Sequence, residues 1–201
     1  MKQLLLDIQP IATPTLESFI VGRNAEALHN LHQAVSGVAA ARFIYLWGEA
    51  GSGKSHLLKA AASAGAMIAD DVHMLASDAQ IALFDTYNRI KAESGILITA
   101  GLYPPLQMGL RDDLATRLAW GLVYKLYPLT DEEKAQALKT HANARGMRLP
   151  DEVVDYCLRY LQRDLPTLMA VLNALDEWSL IEQKKITIPL LKKLIAQHLI
   201  Y

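Results

Sequence analysis

The chain has 201 residues, 52% apolar and 20% charged, with a formal net charge of −1. This is the composition of an ordinary soluble globular protein, long enough for one large domain or a core with a smaller companion, and it leaves no overall basic field to draw in nucleic acid. The single cysteine, Cys157, excludes an intramolecular disulfide, and no apolar run approaches the roughly 20 residues that span a bilayer, so a cytoplasmic location is expected.

The chain opens on Gln3-Leu4-Leu5-Leu6-Asp7-Ile8, an apolar hexamer that by its residues alone reads as an edge strand or a frayed end. Asp7 and Pro10 interrupt Leu4–Leu6, so there is no signal-peptide core. A helical pattern over 25–38 leads into Arg42-Phe43-Ile44-Tyr45-Leu46-Trp47, a short run suited to a buried strand. Next comes Gly48-Glu49-Ala50-Gly51-Ser52-Gly53-Lys54-Ser55, a complete G-x-x-x-x-G-K-S phosphate loop. Its glycines let backbone N–H groups close around phosphate oxygens, Lys54 brings a positive charge to the β- and γ-phosphates, and the Ser55 hydroxyl can ligate Mg²⁺. The helix former over 54–64 turns its N-terminal dipole toward the phosphates. His56 is grouped with the loop as a packing or cap residue, not a catalyst.

Met67-Ile68-Ala69-Asp70-Asp71 follows, a strand over 66–69 ending in two acids. Beside a phosphate loop this is a Walker B pattern: Asp70 lies next to the Mg²⁺ shell and Asp71 can polarise an attacking water. A helix over 78–93 precedes Ile96-Leu97-Ile98-Thr99-Ala100, a strand expected between the two nucleotide strands, with Thr99 at its end as a candidate γ-phosphate sensor. A helix over 112–118 and a strand over 122–127 complete an α/β alternation. From Asp131 the pattern is helical only, over 131–144, 151–161, 166–181 and 189–199, each opening near a cap or a proline. The composition shift at Leu129-Thr130 predicts a tail over 1–10, an α/β nucleotide-binding core over 11–129 and a helical lid over 130–201. His29, His32, His141 and His198 show no metal-ligand spacing, His73 is expected at the surface, and Trp47, Trp120 and Trp178 are expected as core or interdomain anchors.

Several segments together resemble the AAA+ family in its replication-initiator clade, and within it the regulatory inactivators of the initiator. They are Phe19-Ile20-Val21-Gly22-Arg23-Asn24, the loop with Lys54-Ser55-His56-Leu57-Leu58, Phe84-Asp85-Thr86-Tyr87-Asn88-Arg89, Arg117-Leu118-Ala119-Trp120-Gly121, Leu129-Thr130-Asp131-Glu132-Glu133-Lys134 and Ile186-Thr187-Ile188-Pro189. The resemblance spans nearly the whole chain. It implies bound ADP or ATP with Mg²⁺, and an adenine pocket walled by Val21 and Gly22. It implies Arg117 as an arginine finger acting in trans on the ATP of the DnaA initiator, and residues Gln3, Leu4, Leu6 and Ile8 as a peptide that docks on the sliding clamp. The function it implies is negative regulation of replication initiation. Arg111 is read as a solvated helix-start residue.

Three departures from the family pattern shape these expectations. Only about three residues link the loop's helix to the Walker B strand, where the family inserts a further strand and helix, so a four-stranded parallel sheet ordered 5-1-4-3 in family terms is expected, with 66–69 at an edge. The lid position that usually carries a nucleotide-sensing arginine is Pro166, with Arg163 three residues earlier in a different helical phase, so the chain's own hydrolysis is expected to be weak or absent. The sequence ends at Tyr201, and the initiator's helix-turn-helix DNA-binding domain is expected to be missing. Self-association stays open. The alternative reading is an autonomous AAA+ ATPase, such as a helicase loader or remodeller. A small-molecule kinase fits poorly, because its substrate lid needs several arginines.

Overall fold

The structure, a computed structural model, describes residues 13–38 and 42–198. The residues expected to dock on a clamp, Gln3, Leu4, Leu6 and Ile8, lie outside them. The chain divides after Pro128 into two compact units.

The first unit carries α1 (Ala25–Val35), β1 (Phe43–Trp47), α2 (Lys54–Ser63), β2 (Met67–Ala69), α3 (Ser77–Ala92), β3 (Leu97–Gly101), α4 (Asp112–Ala119) and β4 (Leu122–Lys125). Its four strands form one parallel sheet in the order β2-β3-β1-β4. This is the expected order, with β2 at one edge. Alternating residues of the central strands feed two cores. Ile44, Leu46, Ile98 and Ala100 pack with Leu31 of α1 and Leu57, Leu58 and Ala61 of α2. On the other face Tyr45 and Leu97 pack with Leu83, Tyr87 and Ile90 of α3 and Leu114, Ala115 and Leu118 of α4. Each fully buried leucine or isoleucine here contributes about 1.5–3 kcal/mol relative to exposure.

The strands are not equally buried, as the apolar runs suggested. Only β1 and β3 are covered along their length; β2 and β4 are edges, and Met67, Ile68 and Val123 stay partly exposed. Two one-turn helices, Val72–Met74 and Pro105–Gln107, have no repeating pattern that sequence periodicity could register. Thr99 is not at the end of its strand. β3 continues to Gly101, and Thr99 is 1% exposed against the α3/α4 layer, lining a void with Phe43, Tyr87 and Leu118. That is the face opposite α2, so Thr99 is a core residue rather than a phosphate sensor.

The second unit is helical: α5 (Asp131–Ala144), α6 (Asp151–Tyr160), α7 (Leu165–Glu182) and α8 (Ile188–His198). Its start is encoded locally. The Thr130 hydroxyl accepts from the Glu133 N–H and the Glu133 carboxylate accepts from the Thr130 N–H, a complete capping box. The core joins Leu138, Val153, Val154, Cys157, Leu168, Leu172, Leu175, Trp178 and Leu191. Burial pushes the Cys157 thiol up to about 11. Asp164 caps α7, which places Pro166 in the first turn, where its missing N–H costs nothing. Arg163 sits just before that cap and pairs with Asp131 at 3.5 Å. Among the described residues no helix is long and apolar enough to cross a membrane.

Candidate functional site

The phosphate loop runs from the end of β1 to the first turn of α2, and its shape depends on two glycines. Gly48 has φ +148°, and a Cβ there would collide with the carbonyl of Leu126. Gly53 is left-handed at φ +93°, and a Cβ would lie 2.6 Å from the Phe19 ring. Only glycine lets the backbone pass so close at such angles. Gly53 is also the N-cap of α2 and offers no side chain to the helix, so the first-turn N–H groups keep their capacity for an anion.

Three side chains meet at this turn. The Lys54 ammonium folds over the loop, donating to the carbonyls of Gly48 at 2.7 Å and Glu49 at 2.9 Å. Burial lowers its pKa, opposed by the nearby charges of Asp70 and Asp71. The Ser55 hydroxyl donates to Asp70 Oδ2 at 2.6 Å, joining the hydroxyl and the carboxylate that the sequence assigns to one cation. Asp71 caps the one-turn helix after β2 in a left-handed backbone, φ 46°, and its N–H donates to Asp70 Oδ1 at 2.9 Å. Its own carboxylate is exposed, near enough for its charge to act on Lys54. Glu49, Ala50 and Gly51 are exposed along the loop's rim, while Ser52 is buried and its hydroxyl has no hydrogen-bond partner. Lysine, hydroxyl and carboxylate around a glycine-built anion cradle suit a nucleoside phosphate with a divalent cation. Among the described residues no three His, Cys, Asp or Glu side chains converge on a metal, so phosphate oxygens and water would have to complete the cation's shell.

The segment before α1 wraps the loop. His56 Nε2 donates to the Thr15 carbonyl at 3.0 Å and its ring tilts against Phe19 at 5.6 Å, so it packs and anchors, as expected. Val21 is half-buried and Gly22 is exposed at φ +49°. Asn24, 3% exposed, holds this segment in place: its amide donates to the Tyr127 carbonyl at 2.9 Å, and the Tyr127 N–H donates back to it at 2.8 Å. The neighbouring Leu126 donates its N–H to Trp47 O at 2.7 Å. Val21 and Gly22 are thereby tied to the loop's entrance. Asn24 stood within a segment singled out by the sequence, but nothing there marked it as a staple.

Arg117 lies elsewhere, on α4, whose buried side packs on the sheet face opposite α2. It sits over the Trp120 ring at 4.4 Å, with Phe84 and Tyr87 each at 5.9 Å. Arg111 is exposed and paired with Asp113 at 2.8 Å. Two expectations fail. Trp120 is 60% exposed rather than an anchor in a core, because α4 ends there. His73 is half-buried rather than at the surface, with Nδ1 enclosed and without a hydrogen-bond partner.

Comparison with known proteins agrees with this geometry. Residues 131–195 match the family model of the Hda lid domain, and residues 12–66 match that of the bacterial DnaA ATPase domain. The chain is an Hda-like AAA+ protein of the DnaA clade. It belongs with the Hda-type regulators of DnaA. Among solved structures it is similar to domain III of the replication initiation protein DnaA from Thermotoga maritima: TM-score 0.73 and 19% identity, covering 94% of this chain and 98% of that one. AMPPCP-bound DnaA from Aquifex aeolicus gives a TM-score of 0.68 at 22% identity, over 82% of this chain and 65% of that one. A RuvB from Thermotoga maritima, a Holliday junction branch migration motor, gives 0.64 at 15% identity, over 92% and 72%. At these identities the structural likeness speaks for the fold alone.

Proposed function

We propose that the chain is a nucleotide-bound negative regulator of replication initiation, which promotes hydrolysis of ATP held by DnaA. Its own loop would hold an adenine nucleotide: Gly48, Gly51 and Gly53 and the N-terminus of α2 around the phosphates, Lys54 against their charge, and Val21 and Gly22 beside the base. Ser55 and Asp70 would hold Mg²⁺, which when bound offsets phosphate charge. The Aquifex DnaA, bound to AMPPCP, is a neighbour with such a ligand. Asp71 stands ready to polarise a water, but Pro166 in place of a lid arginine favours a retained ligand over repeated turnover.

The observation that carries the reading is the position of Arg117. It projects from α4, on the sheet face opposite the helix that follows the chain's own phosphate loop, and among the described residues it pairs with no carboxylate. A cation so placed cannot serve its own site and is suited to a neighbour's phosphates. The tail residues Gln3, Leu4, Leu6 and Ile8 would tether the chain to the sliding clamp, as an extended apolar peptide in a groove.

The test is hydrolysis of ATP prebound to DnaA, with clamp loaded on DNA. Wild type accelerates it, and Arg117→Ala loses the acceleration by orders of magnitude while still binding nucleotide. Leu4→Ala with Leu6→Ala loses clamp binding. If wild type leaves DnaA-bound ATP untouched but hydrolyses ATP by itself when DNA is added, the autonomous ATPase is the correct reading.

A further inference from the structure

We propose that Trp120 is the positioning residue for Arg117, an exposed aromatic shelf that orders its guanidinium before any partner arrives; this rests on reading Arg117 as the trans-acting finger. Trp120 is the C-cap of α4, and its N–H donates to the Arg117 carbonyl at 3.2 Å, which fixes the two residues one turn apart. The next residue, Gly121, passes so close to Phe43 that a Cβ would collide with that residue's carbonyl. The chain is thereby held against β1 while the indole is left outside, 60% exposed.

The guanidinium carbon lies 4.4 Å from the centre of that indole, well inside cation–π range, with Phe84 and Tyr87 closing the side toward α3. Stacking occupies the face of a guanidinium and leaves its in-plane N–H donors free, and these are the groups that grip phosphate oxygens in pairs. A carboxylate partner would have consumed them, and among the described residues Arg117 has none. The Lys91 ammonium lies 5.1 Å from the same indole, so the shelf gathers two cations at one spot. The arrangement spares the flexible arginine much of the ordering it would otherwise undergo when it meets the phosphates. Trp120 acts on Arg117 and touches no substrate.

The experiment compares Trp120→Ala, Trp120→Phe and Arg117→Ala, each as the full chain, in the assay with clamp and ATP-bound DnaA. Trp120→Ala is expected to lower the maximal hydrolysis rate by roughly two- to fivefold, the order one exposed cation–π contact can hold, with the half-saturating concentration nearly unchanged. Trp120→Phe is expected to recover most of the rate. The Arg117 side-chain protons should also lose their ring-current shift in the alanine variant and regain part of it in the phenylalanine variant. Full rate in Trp120→Ala alongside a dead Arg117→Ala overturns the shelf and leaves the finger standing. A raised half-saturating concentration at unchanged maximal rate also overturns it, and makes Trp120 a contact for DnaA. Full rate in Arg117→Ala overturns the finger, and the shelf with it.

Discussion

The Ser55 hydroxyl donates to Asp70 across 2.6 Å, linking the first turn of α2 to the end of β2. This bond needs no intervening architecture: Ala64, Gly65 and Ala66 alone separate the helix from the strand. If the pair holds Mg²⁺, Ser55→Ala and Asp70→Asn should each weaken Mg²⁺-dependent ADP binding by about tenfold or more. Calorimetric titration with and without EDTA checks this. The chelator should weaken binding to wild type and barely change the variants.

Gly53→Ala should damage both the loop and the segment over it. The new methyl meets the Phe19 ring, and alanine at φ +93° is strained, so a destabilisation of about 1–3 kcal/mol is expected. Nucleotide binding should fall in the same variant, since α2 cannot begin where it does. Thermal unfolding with and without ADP would separate the two effects.

Asn24→Ala removes both partners of the Tyr127 backbone at a buried position, and should cost about 2–3 kcal/mol. Asn24→Asp should not rescue it, because a carboxylate oxygen would then face the Tyr127 carbonyl. Urea denaturation followed by tryptophan fluorescence checks both.

Glu182 gives the helical unit an acid dependence. Hydrogen bonds from Lys184 and Lys193 hold its carboxyl down at about 2, against an ordinary 4.5. A folded value below the unfolded one means stabilisation that is complete above 4.5 and lost as pH falls toward 2. The melting temperatures of wild type and Glu182→Gln should therefore differ at about pH 6, converge through that window, and converge also with added salt, since the group is exposed.

The sheet order was legible through the resemblance to the AAA+ family, and the link of about three residues after α2, set against the family pattern, announced the missing unit. The nearness of Ser55 and Asp70 was legible in the residues themselves, a complete phosphate loop followed by a strand that ends in two acids. Asn24 was not, since a buried amide serving backbone 103 residues away leaves no local trace. Trp120 misled in the other direction: a large aromatic in an apolar segment reads as core, and only the close pass of Gly121 against Phe43 turns it outward. Thr99 failed through a strand end that ran one residue further than its apolar run.

The edge strand β2 also bears on how the protein behaves at high concentration. Parallel pairing commits alternate residues, so Met67 and Ala69 face β3 and only Ile68 turns its N–H and carbonyl outward. One residue of open ladder offers too little template for runaway strand addition between molecules, whereas a longer bare edge would invite it. Losing a strand-helix unit exposes a sheet flank, and keeping the new margin to three residues leaves that flank safe from aggregation.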